Sequence, residues 1–142
     1  MAANDKQVGG EHYQKAGAQQ HWDYAWEHGY DQFQYCITKY VDRHKKKNGL
    51  EDLYKGRHHL DKYIELLEAG ELGGEHYRAP GAQSNWDYAW QHDYDQFQYY
   101  ITKYVDRHKQ KNGLEDLYEA RRDLDKYIEL LETEECDYNV ND

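Results

Sequence analysis

Several groups of residues in this sequence could hold an anion or a flat ring. The pentapeptide GGEHY stands at Gly9–Tyr13 and again at Gly73–Tyr77. The pairs Gly9-Gly10 and Gly73-Gly74 can bring backbone N–H groups close to an anion. His12 and Tyr13, with His76 and Tyr77 in the second occurrence, can then close over the bound group. The plainer alternative is that Gly-Gly only turns the chain and the two rings pack on the helical hairpin of the same unit. The segment KYVDRHKKKNG (Lys39–Gly49) is the densest run of positive charge. Lys39 and Arg43 are four apart, on one helical face; Lys47 and Asn48 stand at the helix end. Their counterparts are Lys103, Arg107, Lys111 and Asn112. The set reads either as a phosphate cradle or as a solvated face whose cations favour a helix C-terminus.

Trp22 and Trp26, repeated as Trp86 and Trp90, are spaced for one face of a helix. Bases stack on such rings for about 1–3 kcal/mol each, although a helix must also bury one face and aromatics at this spacing commonly do so. Arg57 and Arg121 occupy slots where the surrounding stripe calls for an apolar residue. Each either snorkels or pairs with a carboxylate of a neighbouring helix such as Asp42, or faces an anionic ligand between helices, which a planar guanidinium grips with two parallel hydrogen bonds.

Other chemistries lack their parts. There is no GxxxxGK[ST] and no GxGxxG, so phosphoryl transfer of the ordinary nucleotide-loop kind is not indicated. No HExxH or CxxC spacing occurs, and the His58-His59 pair becomes Arg122-Asp123 in the second occurrence, so no metal site is expected. Cys36 and Cys136 form no disulfide framework.

The elements that must position these residues come in duplicate. A shift of 64 lays Val8–Glu68 over Leu72–Glu132, with about 47 of 61 positions identical, the mark of an internal repeat. The organisation expected is a flexible start (1–7), unit one (8–68), a linker (69–71), unit two (72–132) and an acidic flexible tail (133–142). Within a unit, Trp22–His28 reads as a short helix. Asp31 with Gln34 three later is a capping-box start, and Tyr30, Phe33, Ile37, Tyr40 and His44 then recur at helical spacing. Asn48 with Glu51 opens a third helix, Gly49 marks the break before it, and Leu50, Leu53, Leu60, Ile64 and Leu67 form its stripe. The expected fold is all-α: two copies of a Gly-containing arm, a short helix and a two-helix hairpin. A unit this small buries too little surface to stand alone, and the linker is short. The units are therefore expected to pack as a pseudo-symmetric pair that mimics a homodimer, with further homo-oligomerisation open.

Composition narrows the partners. A net charge of −10 argues against polymeric nucleic acid, whose binding rests on neutralising phosphates with Lys and Arg. No apolar run approaches the roughly 20 residues of a membrane span, and no signal-peptide pattern is present, so a cytoplasmic protein is expected. Only 38% of residues are hydrophobic, while Tyr supplies 16; half-polar rings must do much of the packing and find partners for their O–H groups.

GGEHY, then WDY, then ITKYVDRHKKKNGLEDLYKGRHHLDKYIELL together resemble a small bacteriophage family of mostly unknown function. That family includes a nucleotide kinase of a lytic coliphage that has no P-loop. The resemblance covers nearly all of each unit and implies a nucleotide ligand and residence in an infected bacterial cell. It departs from the family pattern at His21 and Asn85, where a proline is usual, at His44 and His108, where a tyrosine is common, and in the fusion of two units. The expected function is capture of a nucleotide or cyclic-nucleotide immune signal, a sponge-like counter-defence. The ligand residues expected are Gly9, Gly10, His12, Tyr13, Trp22, Lys39, Arg43, Lys47, Asn48 and Arg57, with Gly73, Gly74, His76, Tyr77, Trp86, Lys103, Arg107, Lys111, Asn112 and Arg121. No catalytic residue, metal or cofactor is assigned. The alternatives are a metal-assisted nucleoside monophosphate kinase, the one case in which Mg2+ would enter, and a protein-binding inhibitor of a host enzyme.

Overall fold

A computed structural model describes residues 19–71 and 81–140, the last six as backbone. Both GGEHY segments, and with them Gly9, Gly10, His12, Tyr13, Gly73, Gly74, His76 and Tyr77, lie outside the described residues. The described chain is helical throughout, with no strand: α1 (His21–Glu27), α2 (Gln32–Arg43), a 3-10 turn (His44–Lys46), α3 (Leu50–Glu68), α4 (Asn85–Gln91), α5 (Gln96–Arg107) and α6 (Leu114–Val140). Hairpins α2–α3 and α5–α6 pack on each other, α3 against α6 and α2 against α5.

Local chemistry sets the helix ends. The capping boxes read from the sequence are present. Asp31 accepts from Gln34 N–H and the Gln34 side chain accepts from Asp31 N–H; Asp95 and Gln98 repeat the arrangement. The turn between α2 and α3 is tied by one carboxylate. Asp52, fully buried, accepts from Arg43 Nη2 (3.2 Å), Asn48 N–H (3.2 Å) and Asn48 Nδ2 (3.4 Å). Asp116 does the same with Arg107 and Asn112. Gly49 at φ 57° and Gly113 at φ 59° complete these turns. Gly70, at φ 73°, comes just after the end of α3. No glycine or proline stands at the matching place after Glu132, so α6 runs on to Val140 and the backbone of the expected tail begins as helix.

The core is the predicted stripe with additions. Ile37, Val41, Leu53, Leu60 and Ile64 pack with Ile101, Val105, Leu117, Leu124 and Ile128, and the tyrosines Tyr63 and Tyr127 are buried among them. Trp22 and Trp26 are not core: Trp26 is 83% exposed and Trp22 54%. Tyr24, Ala25 and His28 point inward from α1 instead. The reason lies across the interface, where the Tyr24 and Tyr88 rings meet at 4.1 Å and Tyr24 O–H donates to Asn85 Oδ1.

Contacts between the halves come in reciprocal sets offset by 64 residues. Tyr30 O–H donates to Asp106 (2.7 Å) and Tyr94 O–H to Asp42 (2.5 Å). Gln34 Nε2 donates to the Val105 carbonyl and Gln98 Nε2 to that of Val41. Lys45 pairs with Asp95 and Lys109 with Asp31. His28 Nε2 donates to the Gln83 carbonyl and His92 Nε2 to that of Gln19, each at 2.6 Å.

Two glycines separate backbone need from packing. Gly49→Ala forces a side chain into a backbone conformation, φ 57° and ψ −128°, that L residues rarely adopt, and should lower stability by about 1–3 kcal/mol. Gly56 lies mid-helix, and an added Cβ would meet Tyr40 Cβ at an ordinary 3.5 Å; the second half carries Ala120 there. Gly56→Ala should raise stability by roughly 0.5–1 kcal/mol. Urea denaturation checks both, and a tolerated Gly49→Ala would contradict the turn account.

Candidate functional site

In each half, α1 or α4 packs beside the start of the next helix. In the second half this leaves an open groove of about 330 Å3 lined by Trp86, Ala89, Trp90, Tyr94, Asp95, Gln96 and Tyr99. Its walls are mostly aromatic. The tryptophans face it because Tyr88 and His92 take the inward positions of α4, their rings stacked at 4.0 Å. Trp86 and Trp90 are each 70% exposed. Asp95 is committed at the helix start: it accepts from Gln98 N–H, Lys45 Nζ and Tyr127 O–H. These donors outweigh its burial and hold its carboxyl below the usual range.

A row of cations continues from the groove along α5. Tyr99 lines the groove, and Lys103 Nζ lies 5.5 Å from its ring, 4.7 Å from that of Tyr100 and 4.9 Å from that of Tyr104. Arg107 Cζ also lies 4.9 Å from the Tyr104 ring. The spacing is that of the helix, since residues three and four apart share a face. Cations over ring faces are held by the ring quadrupole. In the first half, Lys39 lies over Tyr35 (5.3 Å) and Tyr40 (4.8 Å), with Arg43 over Tyr40 (4.9 Å). Lys55 and His59, from α3, come to 6.0 and 5.6 Å of the same ring.

The structure therefore brings together Lys39 with Arg43 on Tyr40, and Trp86 with Lys103 through Tyr99 and Lys103 with Arg107 on Tyr104. Arg43 and Arg107 also serve the turn carboxylates, as do Asn48 and Asn112. Lys47 and Lys111 are exposed just past the helix ends. Arg57 and Arg121 belong to a different place, the α3–α6 seam. Arg57 lies over Tyr54 and pairs with Asp125 at 3.6 Å, and Arg121 lies over Tyr118 and approaches Asp61 at 3.9 Å. The partner is thus a carboxylate of the opposite hairpin, and Asp42 instead accepts from Tyr94. Tyr35, Tyr40, Tyr99 and Tyr104 are not among the ligand residues expected from the sequence. Their signal is nonetheless present there, as tyrosines three or four residues before each Lys and Arg of the two rows.

His21 is the main departure between the two halves near the interface. Its Nδ1 meets Tyr88 O–H at 2.9 Å and its Nε2 meets Thr38 Oγ1 at 2.8 Å. Burial pushes its pKa down to about 4, against the pull of Asp42. Burial also lowers those of His44, His92 and His108. Among the described residues, no group of three or more His, Cys, Asp or Glu is placed to hold a metal ion, and no helix is long and apolar enough to cross a membrane. No protein-family model, curated protein or solved structure matches the chain.

Unfolded, His21 takes up its proton near the ordinary value of 6.5; folded, it stays neutral down to about 4. Between these values the unfolded chain binds the additional proton, so stability falls as pH drops through that window. His21→Asn copies the residue at Asn85 and removes one such proton. Its stability, measured by urea denaturation across the window, should fall less steeply than that of the parent. An unchanged slope would contradict a neutral, desolvated His21.

Proposed function

We propose that the protein binds a small nucleotide or cyclic nucleotide and captures it unaltered. The observation that carries this reading is continuity: Tyr99 is at once a wall of the Trp86–Trp90 groove and a ring beneath Lys103. A base stacked in the groove would place its phosphates along Lys103 and Arg107. In a chain of net charge −10, cations held in a row beside flat rings are a local exception suited to phosphate and base together. The first half repeats the cation row at Lys39 and Arg43. The groove carboxylate Asp95 has its oxygens engaged by three donors, which favours holding a ligand over general-base chemistry.

The reciprocal contacts support reading the halves as a duplicated unit packed as a pseudo-symmetric pair, each with its own aromatic–cation track. The likeness of the KY–R–KNG–ED motifs to a small bacteriophage family that includes a nucleotide kinase supports a nucleotide ligand. It also supports a setting in the infected bacterial cell, where capture of a signalling nucleotide would blunt host defence.

Calorimetric titration with nucleoside mono- and triphosphates and with cyclic mono- and dinucleotides, combined with chromatography of the recovered ligand, tests this. Binding with unaltered ligand is expected. Lys39→Ala combined with Lys103→Ala should weaken it by roughly tenfold or more, about 1.4 kcal/mol. Absence of binding across the panel would overturn the reading, and transfer of phosphate between nucleotides would replace it with a kinase.

A further inference from the structure

The two tracks differ at their cationic ends. Around Tyr40 stand Lys39, Arg43, Lys55 and His59, with Asp52 as the carboxylate in the turn. In the second half the positions of Lys55 and His59 hold Glu119 and Asp123. Glu119 is joined to Arg122 in an ion pair. Burial and the neighbouring charge of Arg107 act most on Lys103 and lower its pKa, against the weaker pull of Asp116 and Asp123. Three cations and one buried carboxylate thus surround the first track, while the second sets Lys103, Arg107 and Arg122 against Asp116, Glu119 and Asp123. The guanidinium groups differ as well. Arg107 grips Asp116 through both Nε and Nη2. Arg43 reaches Asp52 through Nη2, and its Nε has no hydrogen-bond partner. Tyr100, where the first half has Cys36, adds a third ring around Lys103.

We infer that the two halves have diverged in anion affinity: both tracks take the phosphorylated ligand, and the first holds its phosphate more tightly than the second. The inference rests on the nucleotide reading for the identity of the ligand, but its physical content is anion affinity at two comparable places. A phosphate approaching Tyr40 meets a charge excess and donors on Lys39, Lys55 and Arg43. One approaching Tyr104 meets two extra carboxylates, whose like-charge repulsion weakens its hold.

Inorganic pyrophosphate is the probe that isolates this end of the track. Titrated into the intact protein, it should shift the side-chain N–H resonances of Arg43 at a concentration roughly tenfold lower than those of Arg107. The surface variant Lys55→Glu with His59→Asp should abolish that preference while circular dichroism shows an unchanged helix content. The converse graft, Glu119→Lys with Asp123→His, should bring Arg107 into line with Arg43. Equal titration of both arginines in the parent protein would overturn the inference, as would Arg107 responding first or neither responding at millimolar pyrophosphate. Failure of the nucleotide reading is separable: the arginines would still respond unequally to pyrophosphate while the nucleotide panel gave no heat of binding.

Discussion

Tyrosine hydroxyls donating to carboxylates set the terms for the rest of this structure. Tyr30 reaches Asp106 and Tyr94 reaches Asp42 across the two halves, while Tyr63 and Tyr127 reach Asp31 and Asp95 at the starts of α2 and α5. Hydrogen bonds to charged groups contribute about 1.5–3 kcal/mol each, and a buried carboxylate deprived of its donors costs at least as much. The chain has few aliphatic residues for its length, so half-polar rings fill the interior and each must find an acceptor. Asp31 shows how closely the network is drawn: its oxygens serve the capping box, Tyr63 of its own half and Lys109 of the other. The helix start, the hairpin and the interface share one group.

This network also explains why the tryptophans are outside. Tyr24 and Tyr88 meet at the centre, and His28 and His92 stack on them while donating to backbone carbonyls of the opposite half. Once those rings occupy the inner face of α1 and α4, the tryptophans are left to the solvent side, where two of them form the walls of the groove. Packing demand at the interface and ligand-binding potential at the surface are therefore two faces of the same short helix. The basic segment has a similar double role. Arg43 and Asn48 tie the α2–α3 turn through Asp52, and Lys39 and Arg43 form the row on Tyr40.

The helices were readable because their signals are local. Capping boxes at Asp31 and Asp95, the positive-φ Gly49 and Gly113, and the stripe from Ile37 to Leu67 depend on neighbours three or four residues away. The exposure of Trp22 and Trp26 was not readable, since their spacing equally fits a buried face and the decision lies with Tyr88 and Asn85, far away in the sequence. Arg57 is a similar case. Its place in the stripe announced a need for a partner, yet Asp125 becomes available only when α3 lies against α6. Of the expected ligand residues, the cations Lys39, Arg43, Lys103 and Arg107 and the ring of Trp86 fall along the tracks, whereas the tyrosine platforms beneath the cations emerge from the helices' packing.

If exchanged tyrosine and lysine contacts join the halves, neither can loosen without the other. Native-state hydrogen exchange of the whole protein tests that claim most directly, by comparing opening free energies of slow amides in α2–α3 with those in α5–α6. Mutual dependence predicts one common value for both hairpins, equal to the global unfolding free energy from urea denaturation. A hairpin that opens by itself, at a free energy well below that of its partner, would contradict it.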